Sequence, residues 1–280
     1  MKRKSLIVLV IIVFVACLYG IIWGNTALEL HTYTISSSLL PKAFDGYRIA
    51  HVSDLHNCEM GENNENLIHM LKEAKPDMIA ITGDLIDSRH TRVKIALDFV
   101  RDAMKIAPCY YVSGNHEARV SEYTHLIDGL SDLGVIVLED KSIDLKYNDD
   151  FIHLIGLSDP SFKVDYLFGD DKAVVSTQLQ SYVSDRFTLL LCHRPELFEV
   201  YANYHINLAL CGHAHGGQFR IPFVGGVVAP NQGFFPQYDG GLYILKDTNM
   251  VVSRGIGNSI IPIRLNNRPE VILIQLQSHS

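Results

Sequence analysis

The sequence predicts an α/β fold: a four-layer αββα sandwich of two mixed β-sheets flanked by helices, preceded by one N-terminal transmembrane helix. Three observations carry this reading. Short apolar runs rich in β-branched residues alternate with stretches of helical spacing in the first half. The second half is mainly a succession of strand-like runs. The extreme N-terminus is a long uncharged stretch behind a basic start. At 280 residues, 48% of them hydrophobic, the chain suits one domain of generous size with a large core.

The N-terminal stretch "MKRKSLIVLVIIVFVACLYGIIWG" opens with Lys2, Arg3 and Lys4 and carries no charge from Leu6 to Trp23. Such a run crosses the hydrocarbon core near the short limit of length. Tyr19 and Trp23 stand at its far end, where interfacial aromatics collect, and the leading basic cluster predicts a cytoplasmic N-terminus. Residues 1–25 are therefore read as a membrane anchor or signal-anchor, 26–44 as a lead-in and 45–280 as the globular domain. The chain is expected at the cell membrane, single-pass, with its domain on the outer face. Three other readings compete. A cleaved signal peptide lacks a clear small-x-small site. A lipid-modified Cys17 in "FVAC" is poorly served by Phe14. A buried core helix does not suit the charged start and terminal position.

Past the lead-in, "YRIAHVSD" reads as a strand, "NENLIHMLKEAK" as a helix, "DMIAITGD" as a strand, "RVKIALDFVRDAM" as a helix, "CYYVSGNHE" as a strand and "YTHLIDGLSDLG" as a helix. This is the grammar of βαβ units and a mostly parallel sheet. Further strands are "FIHLIGLSD", "FTLLLCH", "INLALCGH", "GGLYIL", "MVVSRGIG" and "EVILIQL", with the helix "PELFEVYANY" among them. Two packed sheets with helices outside use this set. Cys58, Cys109, Cys192 and Cys211 follow no paired spacing and read as small buried hydrophobes.

Polar residues recur at one place in this grammar, the carboxyl ends of strands, where open α/β sheets bind ligands. These ends carry Asp54 and His56, then Asp84 and Asp87, then Asn115, His116 and Glu117, then His193, then His213 and His215. Carboxylate, imidazole and amide oxygen without a clear thiolate suit Mn, Fe, Zn, Co or Ni. The donors are too many for one ion with an open position and match two divalent ions sharing a bridging carboxylate. Such a pair activates a bound water and clamps both oxygens of an in-line displacement at phosphorus. The remaining His31, His69, His90, His125, His153, His205 and His279 read as ordinary caps or surface groups. A formal net charge of -7 argues against nucleic-acid binding.

The ordered set "SDLH", "GDLID", "GNHE", "CH" and "GHAH" resembles the calcineurin-like metallophosphoesterase superfamily. "GHAHGGQ" followed by "RGIGNSIIPIRLNNRPEVILIQL" is similar to its small membrane-anchored bacterial phosphodiesterase branch, the YkuE/YaeI type, and the likeness runs over residues 47–277. The resemblance implies that Asp54, His56 and His215 hold the first metal, that Asp84 bridges, and that Asn115, His193 and His213 hold the second. It implies that His116 serves the leaving oxygen or the phosphate, with Asp87 pairing that histidine. Glu117 stands where many relatives have Asp. The implied activity is hydrolysis of P–O bonds, foremost of a phosphodiester or pyrophosphate, by a hydroxide held between the metals. Arg89, Arg119 and Arg194 lie near the motifs, and Arg194 is the main candidate for a phosphate contact. Gly216 and Gly217 are read either as a plain turn or as an anion cradle. The anchor points to a membrane- or envelope-associated, lipid-linked phosphate ester as substrate. No nucleic-acid partner is expected, and the chain is expected to act as a monomer. A silent metal-binding scaffold and an amide- or lactam-cleaving metallohydrolase are the rival readings.

Overall fold

The computed structural model describes residues 2–163, 169–258 and 261–279, with backbone alone for residues 2–5, 16 and 17. The side chains of the basic cluster at 2–4 and of Cys17, and residues 259–260 of the tail motif, lie outside the described residues. Helix α1 (Lys2–Thr26) leads into β1 (Glu29–Ser37). Then come β2 (Arg48–Val52), α2 (Glu65–Ala74), β3 (Met78–Thr82), α3 (Val93–Ala103), β4 (Cys109–Val112), α4 (Tyr123–Asp132) and β5 (Ile136–Val137). The second half runs β6 (Lys141–Tyr147), β7 (Asp150–Gly156), α5 (Asp171–Gln180), β8 (Thr188–Leu191), α6 (Phe198–Asn203) and β9 (Leu208–Cys211). Four two-residue strands follow: β10 (Arg220–Ile221), β11 (Gly225–Gly226), β12 (Val228–Ala229) and β13 (Gly233–Phe234). The chain closes with β14 (Gly241–Leu245), β15 (Thr248–Val252) and β16 (Glu270–Ser278).

Two mixed six-stranded sheets result, in the orders β1-β16-β2-β3-β4-β5 and β14-β15-β9-β8-β7-β6. Strands β2 to β5 run parallel, as do β7, β8, β9 and β15. The central strands β3, β4, β8 and β9 are buried along their whole length, which is why they read as unbroken apolar runs. One apolar layer lies between the sheets and includes Ile49, Ala80 and Val112 from the first and Leu154, Leu189 and Leu210 from the second. A second layer joins the other face of the first sheet to α2, α3 and α4 through Leu71, Phe99 and Leu126. A third joins the second sheet to α5 and α6 through Leu179 and Phe198. The apolar Leu6–Thr26 portion of α1 is long and apolar enough to cross a membrane, and its most apolar stretch is not buried in the protein, so it is not a core helix.

The expected lead-in is part of the sheet. β1 pairs in parallel with β16 over nine residues, from Glu29–Glu270 to Ser37–Ser278. "ELHTYTISS" carries polar residues on both faces, and only Ile35 is buried, which is why it read as linker. The four described cysteines outside α1 are free. Cys192 and Cys211 come to 3.3 Å between sulfurs, a thiol–thiol hydrogen bond and not a disulfide.

Candidate two-metal active site

The carboxyl ends of β2, β3, β4, β8 and β9 deliver their polar clusters to one spot, because all five strands run in the same sense within their sheets. Asp84, just beyond β3, is the meeting point. Its Oδ2 lies 3.2 Å from His193 Nε2 and 3.5 Å from His56 Nε2. Its Oδ1 accepts the backbone N–H of His116 at 2.8 Å. On one side, His56 Nε2 and His215 Nε2 are 3.2 Å apart, and Asp54 Oδ1 is 3.4 Å from His215 Nε2. On the other, Asp84, His193 and His213 bring one ligand atom each within 4.8 Å of one another. Ligands about 2.1 Å from one ion sit roughly 3 to 3.5 Å apart, so these separations suit ion coordination.

The donors fit metal better than they fit one another. Asn115 Oδ1 is buried without a hydrogen-bond partner, and His193 Nε2 faces only the Asp84 carboxylate, a costly arrangement unless a cation takes them. His193 Nδ1 bonds the carbonyl of Thr82 at 2.7 Å, which fixes the proton there and leaves the Nε2 lone pair for an ion. Burial works against charge on His193, but the neighbouring Asp84 carboxylate outweighs it and raises the ring above the ordinary histidine range. Burial holds His213 and His215 well below the ordinary histidine range, neutral as ligands must be. Asp54 is held low despite burial, by His215, His56 and His193. Asp54, His56, Asp84, His213 and His215 all adopt positive φ between 46° and 68°. Such backbone strain in non-glycine residues concentrates at functional sites.

Glu117, which the sequence left without a role, is fully buried beneath the cluster. It accepts the backbone N–H groups of Asp84 and Gly114, each at 2.8 Å, and of Ile86 at 3.3 Å. It thus binds the β3 and β4 turns together. His116 lines the cavity above the ligands, and its Nδ1 accepts the backbone N–H of Ser88 at 3.0 Å. Burial keeps this ring at about 4. Asp87 lies 3.7 Å from His56 Nδ1, within 4.8 Å of His116, and shares its charge with Arg89 through a 2.7 Å ion pair.

Three residues expected at the substrate, Arg194, Gly216 and Gly217, also make close contacts within the fold. Arg194 is only 4% exposed. Its Nε and Nη2 grip Asp159 at 2.6 and 2.9 Å, and Nη1 reaches Nε2 of His213 at 3.3 Å. Gly216 and Gly217, at φ 63° and 70°, do not line the cavity. A Cβ on Gly217 would stand 2.3 Å from Cα of Gly226, and one on Gly216 2.1 Å from Asn267. They are packing glycines in a tight turn. Of the three arginines near the motifs, Arg119 lines the cavity, which holds about 350 Å³ and is also bounded by Gln218, Asn231 and Ile261. Asn267 was missed as well; its side chain donates to the carbonyls of His215 and Gln218 and fixes that turn. The repeated asparagines of "RLNNRP" were the available signal.

Comparison with known proteins agrees with this geometry. Residues 47–217 match the calcineurin-like phosphoesterase family. A metallophosphoesterase of Bacillus subtilis (strain 168), YkuE, is 32% identical over 261 residues, covering 90% of this chain and 86% of the relative. The phosphodiesterase YaeI of Escherichia coli (strain K12) is 29% identical over 235 residues, covering 82% of each. Among solved structures, TT1561 of Thermus thermophilus shares the fold at 12% identity with a TM-score of 0.52, over 75% of this chain and 90% of that one. The chain therefore belongs to the calcineurin-like phosphoesterase family and is a metal-dependent phosphoric ester hydrolase.

Proposed function

We propose that the chain hydrolyses phosphodiester or pyrophosphate bonds of a membrane- or envelope-associated substrate, with its domain on the outer face of the cell membrane. The observation that carries the reading is the convergence of buried donors around Asp84 at a cavity also bounded by His116. The relative named a phosphodiesterase supports the diester as the bond, and the unburied apolar helix supports the membrane. Asp54, His56 and His215 would hold one ion, Asn115, His193 and His213 the other, with Asp84 shared. Two divalent ions there supply Lewis-acid neutralisation of phosphate oxygens and a lowered pKa for bound water. With Nδ1 accepting from Ser88, neutral His116 carries its proton on Nε2 and offers it as a hydrogen-bond donor to the phosphoryl or leaving oxygen. Asp87 and Arg89 set the field around His56 and His116, and Arg119 at the cavity wall is the arginine suited to a substrate phosphate.

The test uses the full-length chain in detergent, stripped of metal and reloaded singly with Mn, Fe, Zn, Co or Ni. Hydrolysis of p-nitrophenyl phosphate and bis-p-nitrophenyl phosphate is followed. Metal-dependent turnover is expected, faster on the diester, and it should fall by about 100-fold or more in Asp84→Asn and in His116→Ala. Bound ions without turnover on either ester would make the site a scaffold; no bound metal would overturn the reading altogether.

A further inference from the structure

The strands that follow the GHAH turn form two short hairpins that carry bare apolar side chains, at the tip of the first and at the open end of the second. In the first, Phe223 and Val224 join β10 to β11; in the second, Phe234 and Phe235 end β13. Their exposures are 109%, 62%, 78% and 63%. Exposed large apolar side chains grouped in adjacent pairs like these mark an interaction surface.

Their position says what covers them. Helix α1 does not end in a free tether. Gly24 packs on the backbone of Arg264, where an added Cβ would lie 2.5 Å from the carbonyl oxygen. Asn258 Nδ2 donates to Asn25 Oδ1 at 2.6 Å. Arg268 donates to the carbonyls of Ala27 and Leu28 at 2.7 and 2.8 Å, and its guanidinium lies 4.4 Å above the Trp23 ring. An aromatic residue beside a cation at the end of an apolar helix is the pattern of a membrane–water boundary. Residue 265 is next in the chain: its carbonyl accepts Arg220 N–H of β10 at 3.0 Å, and its own leucine side chain is 46% exposed. The first hairpin thus stands one residue from the segment that clasps the helix exit. Phe235 N–H in turn bonds the carbonyl of Val227 at 2.8 Å, and Val227 N–H bonds that of Phe219 at 2.8 Å, so Val227 joins the two hairpins.

The second hairpin walls the cavity through Val228, Ala229, Pro230 and Asn231, together with His116 and Arg119. We propose that Phe223, Val224, Phe234 and Phe235 dip into the lipid interface beside the helix, so that the cavity mouth opens onto the bilayer surface and admits phosphoesters carried on lipid headgroups. The proposal rests on the membrane-anchored reading above and adds a second, reversible contact to it. Side chains of this kind bind the interface by burying apolar area among headgroups.

Trp23 is the only tryptophan, so Trp23→Phe gives a dark background for reporters. Phe223→Trp and Phe234→Trp report on the two apolar pairs, and Val183→Trp, in the turn before β8 at the opposite strand ends, is the control. Each full-length chain is placed in phosphatidylcholine vesicles with or without brominated acyl chains. Bromine should quench these two reporters severalfold more than the control, while aqueous acrylamide does the reverse. Acrylamide quenching equal to the control would overturn the proposal. Protection from both quenchers would overturn it too, and assign these side chains to a protein surface.

A second arm reads catalysis. Hexadecyl p-nitrophenyl phosphate in phosphatidylcholine vesicles is compared with soluble bis-p-nitrophenyl phosphate. The triple variant F223S/F234S/F235S should lose roughly tenfold in kcat/KM on the vesicle substrate and keep its rate on the soluble one. Equal rates on the vesicle substrate would overturn the proposal with the phosphoesterase intact. Failure of the unsubstituted chain on both esters would instead sink the phosphoesterase reading, and the quenching arm would still decide the bilayer contact.

Discussion

At the scale of single residues, charge is what the site manages. Asp54, Asp84, Asp87 and Asp159 are all buried, and each is matched either by imidazoles waiting for a cation or by an arginine. Asp159 is the clearest case: burial pushes it up, but Arg194 holds it at about 2. Arg194→Ala should therefore act as a broken buried ion pair and cost about 3 to 5 kcal/mol, seen as a lower urea midpoint. A residue that only met substrate would leave the midpoint unchanged. The ligand-type residues were legible in the sequence because a metal site needs particular atoms at strand ends. The work of Arg194 was not, because its partner Asp159 lies 35 positions away, and spacing does not reveal a contact made by the fold. Arg264 escaped for the same reason. It is fully buried and donates to Asn258 Oδ1 and to the carbonyls of Arg254, Gly257 and Asn267, a stitch visible only once the tail has folded back.

At the scale of elements, the buried strands and the three helices of the first half were legible, since their periodicity follows directly from burial. β1, β6 and the two hairpins were not. β1 and β6 lie at the edges of their sheets, half in water, and their mixed faces look like loop. The edge at β1 is secured electrostatically. Glu270 of β16 accepts from His31 of β1 at 2.8 Å, and from the backbone and guanidinium of Arg254 at 2.7 and 2.8 Å. Burial pushes its carboxyl up, yet His31 and Arg254 outweigh this and hold it below the usual glutamate range. A depressed carboxylate stabilises the fold above its unfolded pKa, near 4.5, and that stability drains as pH falls through the lower folded value. Glu270→Gln should thus lower Tm at pH 7, and the difference from the parent chain should shrink as pH drops below about 4.5. Thermal melts across that range check the sign.

At the scale of the whole molecule, both sheets meet at the ligand cluster, so the cluster is also a clasp between them. Five ligands with left-handed backbone represent strain that bound ions offset. Chelation should lower Tm, and restoring the ions should recover it. Each ion at a hundredfold excess over its Kd adds about 2.7 kcal/mol, or about 5 to 10 °C for a domain of this size. The first sheet carries one further consequence. Its strand order begins β1-β16-β2, so the last of its strands to be made sits between the first two. Glu29 waits for Glu270, and at roughly 5–20 residues per second of synthesis the wait is on the order of tens of seconds. Through that interval β1 and β2 flank an open slot, each with an unpaired edge that invites mispairing. Completion of this sheet comes only after every other strand has been made, when β16 slides into the slot, and the nascent protein depends until then on whatever shields a bare strand edge.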